Sequence, residues 1–218
     1  MKITKEFLEI LKNFSTISQE MFFAEGKIQS TTSTTKTILA LAQTNVDIPR
    51  TFSTANLPKL LSLLSIIEDP DLDFTPEGLT IKGVNKEIFF RGVNPEHIVY
   101  DNNPGRTKSF TPKISFTMGK DDFSSLSKIS AILAVGEILF SGDGKNITMT
   151  VAGENWKNHH GKIILAESDE IFKAYINIDK MKFLSRDYSV GISSKGSIRF
   201  QSDDITYFCA INRDKSEI

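Results

Sequence analysis

MKITKEFLEILKNFSTI, from Met1 to Ile17, reads as a helix with two opposed faces. At about 100° per residue, Ile3, Phe7, Ile10, Leu11 and Phe14 fall on one side. Lys2, Lys5 and Lys12 fall on the other, with Glu9 among them. A degenerate copy, MGKDDFSSLSKISAI, runs from Met118 to Ile132. There Lys120 stands where Lys5 does, Phe123 where Leu8 does, Leu126 where Leu11 does, Ile129 where Phe14 does and Ile132 where Ile17 does. A constant offset over a helix length predicts a duplicated chain, and each copy predicts an apolar face on a core with a cationic face turned away from it.

A length of 218 residues suits two domains, each large enough for its own core. Charged residues make up 24% and apolar residues 39%, which excludes a disordered or low-complexity class. The single cysteine, Cys209, cannot form an internal disulfide, and the N-terminal stretch lacks the apolar core of a signal peptide. Both predict a reducing cytoplasm. No segment approaches the roughly 20 apolar residues that a spanning helix needs. The 26 basic residues are matched by 27 acidic ones, so any grip on an anionic partner must be local.

Outward from the first helix, short β-prone runs are predicted at 20–24, 27–32, 35–42 and 46–51, with Glu25-Gly26 as a hairpin turn. A second helix is predicted over 55–67, where Leu57, Leu60, Leu61 and Leu64 keep helical spacing and Pro58 is tolerable in the first turn. Strands at 72–75, 79–84 and 87–92 close the first domain, 1–93. Residues 94–112 lose periodicity and carry Asn94-Pro95, Asn102-Asn103-Pro104-Gly105 and Thr111-Pro112, which predicts a connector. The second domain, 113–218, repeats the order. It has a strand at 113–117, the copied helix at 120–133 and strands at 137–141, 146–152, 161–166 and 170–177. A short helix at 178–184 and strands at 188–193, 197–201 and 205–211 follow, and 212–218 reads as a polar tail. Glycine turns at Gly26, Gly78, Gly144 and Gly196 fall at matching places and suggest a fourfold repeat of helix plus meander.

Several motifs fail as chemical sites. Asp69-x-Asp71-x-Asp73 opens like a calcium loop but lacks the glycine and the closing glutamate. Gly142-Asp143-Gly144-Lys145 lacks the Ser/Thr and the following helix of a phosphate loop. His159-His160 would point to opposite faces of a strand and has no metal-ligand cluster beside it. Cys209 sits in an apolar run as an inert buried thiol. No nucleophile and base pair up, so the expectation is no catalytic residue, no metal and no cofactor.

Every predicted helix carries cationic residues: Lys2, Lys5 and Lys12 on the first, Lys59 on the second, Lys120 and Lys128 on the third, and Lys180, Lys182 and Arg186 around the fourth. One reading is a set of solvated helix backs. Another is sequence-independent contact with phosphates, since lysines without interleaved aromatics or base-reading pairs suit salt-sensitive backbone binding. Aromatics that alternate inward on strands favour a duplex over a single strand.

MKITK at 1–5, LKNFSTI at 11–17 and LLSLLSI at 60–66 resemble the sliding clamps, the polymerase processivity factors of T-even-type tailed phages. Beyond Gly92 the similarity is in the order of elements, with 123–132 and 176–184 as weaker anchors. The resemblance implies an α+β fold of two similar clamp domains, each with antiparallel sheets outside and two helices lining an inner face. It implies a homotrimeric ring around double-stranded DNA that tethers the replicative polymerase, with Lys2, Lys5, Lys12, Lys59, Lys120, Lys128, Lys180, Lys182 and Arg186 facing the DNA. It also implies a pocket near the connector for the C-terminal peptide of the polymerase, for which Ile98, Val99 and Tyr100 are candidates; these three serve equally to pin the connector to the core. A clamp-loader ATPase and late-transcription factors are further implied partners, with no membrane. The rival readings are a β-rich phage assembly protein without a DNA-encircling role and a single-strand binder.

Overall fold

The computed structural model describes residues 1–101, 109–152 and 160–218. The contacts divide the chain into two units, Met1–Pro104 and Gly105–Ile218. No helix among the described residues is long and apolar enough to cross a membrane.

In the first unit, helix α1 spans Lys5–Ile17, four residues shorter than the sequence predicts. The chain before it is taken by a strand partner: Leu72 N–H donates to the Met1 carbonyl at 2.8 Å and Lys2 bridges Asp71. Thr4 then caps the helix, its hydroxyl accepting from Phe7 N at 3.1 Å. Strands β1 (Met21–Phe23), β2 (Gly26–Thr32), β3 (Ile38–Ile48) and β4 (Phe52–Thr54) follow. The hairpin expected at Glu25-Gly26 does not join β1 to β2. Instead β1 pairs with β4 and β2 with β3. Buried Gln29 is the cause: its carboxamide donates to the Ala24 carbonyl at 2.8 Å and accepts from Ala24 N at 3.1 Å. A side chain thus satisfies the backbone groups that a hairpin ladder would use. The two runs predicted at 35–42 and 46–51 are one strand, β3. Gln43, Asn45 and Asp47 alternate outward while Thr44, Val46 and Ile48 point in.

Helix α2 spans Leu57–Ser65, with the Asn56 side chain accepting from Lys59 N at 2.9 Å. Its Leu57, Leu60 and Leu64 are buried, and it lies against α1, which itself packs on β2 and β3. Strands β5 (Asp71–Phe74), β6 (Gly78–Lys82) and β7 (Glu87–Arg91) form an antiparallel sheet in that order.

In the second unit, β8 (Ile114–Met118) leads into helix α3 (Lys120–Leu133), whose bounds are those the sequence predicts. Strands β9 (Glu137–Asp143), β10 (Asn146–Ala152), β11 (His160–Glu167) and β12 (Ile171–Asn177) make a four-stranded sheet ordered β11-β10-β9-β12, and α3 packs on β10 and β11. Strands β13 (Tyr188–Ser193), β14 (Ser197–Gln201) and β15 (Ile205–Ala210) pair in succession, and β8 pairs with β13.

The fourth helix does not form. After a single 3₁₀ turn at Ile178–Lys180 the chain extends, burying Met181 and Phe183 while Lys182 points out. Leu184 is the reason: its N–H donates to Tyr207 Oη at 3.1 Å and its carbonyl accepts from Tyr188 Oη at 2.6 Å. Backbone groups held by two buried tyrosines are lost to helical pairing. Phe183 meanwhile stacks among Phe123, Phe200 and Tyr207, with centroids 4.5–5.6 Å away.

The copied helix also registers differently from its sequence match. Leu126 and Ser130 are buried and Ile132 is 82% exposed, whereas Ile17 is 8% exposed. Burial pairs Ile10 with Leu126, Phe14 with Ser130, Lys12 with Lys128 and Thr16 with Ile132, one residue out of step with the sequence pairing. One residue is about 100° of helix, enough to turn Ile132 to solvent.

Of the four matching glycines, Gly26, Gly144 and Gly196 hold left-handed φ angles of 94°, 81° and 89°. Gly78 does not belong to that set. A Cβ there would stand 2.4 Å from the Phe90 carbonyl oxygen, so a close strand approach requires it. The polar tail is docked too: Lys173 and Glu217 exchange backbone hydrogen bonds of 2.8 Å, covering the edge of β12.

Candidate nucleic-acid interface

Each α-helix buries its apolar stripe in its own unit and leaves lysine on the other side. Lys5 and Lys12 are exposed on α1, Lys59 on the first turn of α2, and Lys120 and Lys128 on α3. None of these five makes an ion pair among the described residues. Glu9 shares the outward face of α1, and Glu6 sits in its first turn. The Glu6 carboxyl is held below the usual carboxylate range by its own backbone N–H and by the Thr4 hydroxyl, so it stays charged beside Lys5. Asp121 and Asp122 occupy the first turn of α3, where Asp122 accepts from Gly119 N at 2.9 Å and closes the cap. Lys120 N donates to Asp187 at 2.8 Å, leaving the Lys120 side chain outward.

The remaining cations sit differently. Lys2 lies before α1 rather than on it, and its ammonium meets Asp69 Oδ2 at 2.7 Å and the Asp69 carbonyl at 2.8 Å. Lys180 donates inward to the Ala210 carbonyl at 2.9 Å. Arg186 faces Asp204 at 3.7 Å and donates to the Ser185 carbonyl at 3.1 Å. Lys182 is exposed on the extended segment that replaces the fourth helix. The exposed lysines of α1 and α2 in the first unit, and those of α3 in the second, are therefore available to an anion, while Lys2, Lys180 and Arg186 are engaged locally.

The acids of the calcium-like run are each committed to a cation. Asp69 holds Lys2, Asp71 holds the Met1 amino group and Asp73 holds Lys82 at 3.0 Å. Asp71 is thereby kept below the usual carboxylate range and Lys82 is raised by Asp73. His160 is exposed on β11, and His159 lies outside the described residues.

At the connector, Ile98 is buried, Val99 N donates to Glu20 Oε2 at 2.7 Å and the Tyr100 ring stacks on Phe22 with centroids 4.6 Å apart. These contacts pin residues 98–100 to the first unit. Residues 102–108 lie outside the described set.

Sequence reasoning missed two apolar edges. Phe89 on β7, the last strand of its three-stranded sheet, is 50% exposed; Ile164 on β11, an outer strand of its sheet, is 64% exposed. A signal was present in the alternation of Glu87, Phe89 and Arg91 on one face, but only strand order reveals that the strand has no neighbour beyond it.

No family model matches the chain. Three curated proteins, each named sliding clamp, are similar over nearly its whole length. That of Vibrio phage KVP40 is 24% identical, with 96% of this chain and 98% of that one covered; that of Escherichia phage RB69 is 24% identical and that of Enterobacteria phage T4 22%, both with 99% of each chain covered. Among solved structures, the Proliferating Cellular Nuclear Antigen of Entamoeba histolytica superposes with a TM-score of 0.71 at 11% identity over 94% of both chains. PCNA of A. fulgidus, bound to the C-terminal region of FEN-1, gives 0.69 at 12% over 97% of both. The α+β clamp fold is common to them, and over nearly its whole length the chain is similar to the sliding clamps of T4-like phages.

Proposed function

We propose that this chain is one subunit of a ring that encircles duplex DNA and tethers the replicative polymerase for processive synthesis. The observation that carries this is the set of exposed, unpaired lysines on helices whose apolar faces are otherwise spent: Lys5, Lys12, Lys59, Lys120 and Lys128. Such lysines offset phosphate charge diffusely, without the bidentate geometry that would fix a register, and so permit sliding. With a net charge of −1, retention rests on topology rather than on affinity. Lys2, Lys180, Lys182 and Arg186 supply background potential at most.

The ring is a homotrimer. The free edges of β7 and β11, with half-exposed or more exposed Phe89 and Ile164, support an interface between copies, because an apolar edge strand left open is a template for pairing. The chain acts as a non-catalytic tether in the cytoplasm of the host and needs no cofactor. Its partners are the C-terminal peptide of the polymerase, a clamp-loader ATPase and late-transcription factors; the C-terminal FEN-1 region on A. fulgidus PCNA supports the peptide class.

The test combines mass and topology. A native mass near three chains, with retention on nicked circular DNA that is lost on linearising the circle, is the expected result. A monomer that circular DNA does not retain defeats the reading, and tight binding to single-stranded oligonucleotides replaces it with the single-strand reading.

A further inference from the structure

The outward faces of α1 and α3 place their exposed residues at matching positions. Lys5, Glu9, Lys12 and Thr16 are exposed within about 60° of arc on α1, and Asp121, Ser125, Lys128 and Ile132 within the same arc on α3. In the register set by burial these correspond one to one, and lysine recurs only at Lys12 and Lys128. Each face also holds a carboxylate. Two lysines stand against one glutamate on α1 and one lysine against one aspartate on α3, whereas α2 holds Lys59 and no acid. Glu9 lies past the first turn of α1, where the helix dipole no longer favours a carboxylate. Asp121 lies in the first turn of α3, but the cap there is already closed by Asp122, which accepts from Gly119 N at 2.9 Å.

We propose that Glu9 and Asp121 are repulsive spacers, carboxylates set among the exposed helix lysines so that duplex DNA is guided by brief contacts and not gripped. The inference rests on the duplex-encircling reading above and concerns how the lysines act within it. At the helical rise per residue, Glu9 stands about 6 Å along the axis from Lys5 and about 4.5 Å from Lys12. A phosphate drawn to either lysine is repelled by a carboxylate one turn away, so the attraction is shallow and changes sign along the helix. Asp121 stands about 10 Å from Lys128, close to the screening length at moderate salt, and offsets it more weakly. Lysine alone at every exposed position would deepen the well at one register of the phosphates and hold the duplex there. Alternating sign levels the well, which is what movement along the duplex requires.

The test uses the full-length protein and a short fluorescein-labelled duplex, read by anisotropy at low salt. Glu9→Gln is expected to tighten binding about threefold, Asp121→Asn about twofold and the pair about sixfold. In about 1 M salt, where charges are screened within about 3 Å, the gain is expected to vanish. Asp169→Asn with Asp203→Asn removes the same two charges from exposed turns, β11–β12 and β14–β15, and is expected to leave affinity unchanged. Circular dichroism melts show that each variant is folded, and Glu9→Gln alone carries the test if Asp121→Asn weakens α3. No tightening, an equal gain from the turn substitutions, a gain that survives high salt, or no binding by any variant overturns the proposal. Wild-type protein retained on nicked circular DNA, with no tightening in the variants, removes the spacers alone; wild-type protein that the circle does not retain removes the ring.

Discussion

At the scale of single residues, the ionisable groups that depart from ordinary behaviour do so for local reasons. Asp143 Oδ1 accepts from Asn146 N at 2.8 Å and Lys145 N at 3.0 Å, which holds its carboxyl below the usual range and closes the β9–β10 turn at Gly144. A depressed folded-state pKa stabilises above the unfolded value, about 3.9, and the stabilisation is lost as pH falls through the folded value. Asp143→Ala is therefore expected to destabilise the protein at pH 7, and its gap from wild type to close below about pH 4 in urea titrations across pH. Cys209 is fully buried, its thiol pushed up to about 12 by desolvation, and its Sγ donates to the Lys180 carbonyl at 3.4 Å. At pH 8 only about one thiol in 10⁴ is ionised, so a thiol reagent is expected to leave the native protein unlabelled and to label it fully in denaturant.

At the scale of elements, the copied helix and the missing one are the informative pair. Burial places Leu126 in the core and Ile132 in solvent, one residue out of step with the sequence match. Leu126→Ala is expected to cost about 2–5 kcal/mol and Ile132→Ala less than about 0.5 kcal/mol in chemical denaturation; similar costs at both sites would restore the sequence register. The amphipathic pattern made α3 legible because 3.6-residue periodicity needs only local residues. The fate of 181–184 was not legible, because Ile178, Met181 and Leu184 keep helical spacing while Met181 and Phe183 keep that of a strand. Tyr207, 23 residues on, takes the Leu184 N–H, and Tyr188, four residues on, takes its carbonyl, which settles it. Tyr207→Phe, which removes the acceptor for Leu184 N–H, is expected to cost about 1–3 kcal/mol, read from the same titrations.

At the scale of the molecule, DNA contact and assembly make separable demands. Replacing Lys5, Lys12 and Lys128 with alanine is expected to leave the native mass unchanged. Each is expected to flatten the slope of log affinity against log salt by up to about 0.9; an unchanged slope would return these lysines to the role of solvated helix backs. Phe89→Asp or Ile164→Asp places a charge on an apolar edge, and the mass by light scattering is expected to fall towards one chain while circular dichroism stays that of a folded protein.

Local pattern was enough for most of the strands, all three α-helices and the cationic backs of those helices, because periodicity, caps and turn residues act over a few positions. It was enough for the resemblance to the sliding clamps as well, since 1–5, 11–17 and 60–66 carry it. It was not enough for the pairing of β1 with β4, the capture of Lys2 by Asp69 or the open edges of β7 and β11. Those depend on which distant backbone and side-chain groups meet, and a buried carboxamide, a competing carboxylate or a strand's open edge comes into being only when the chain has folded.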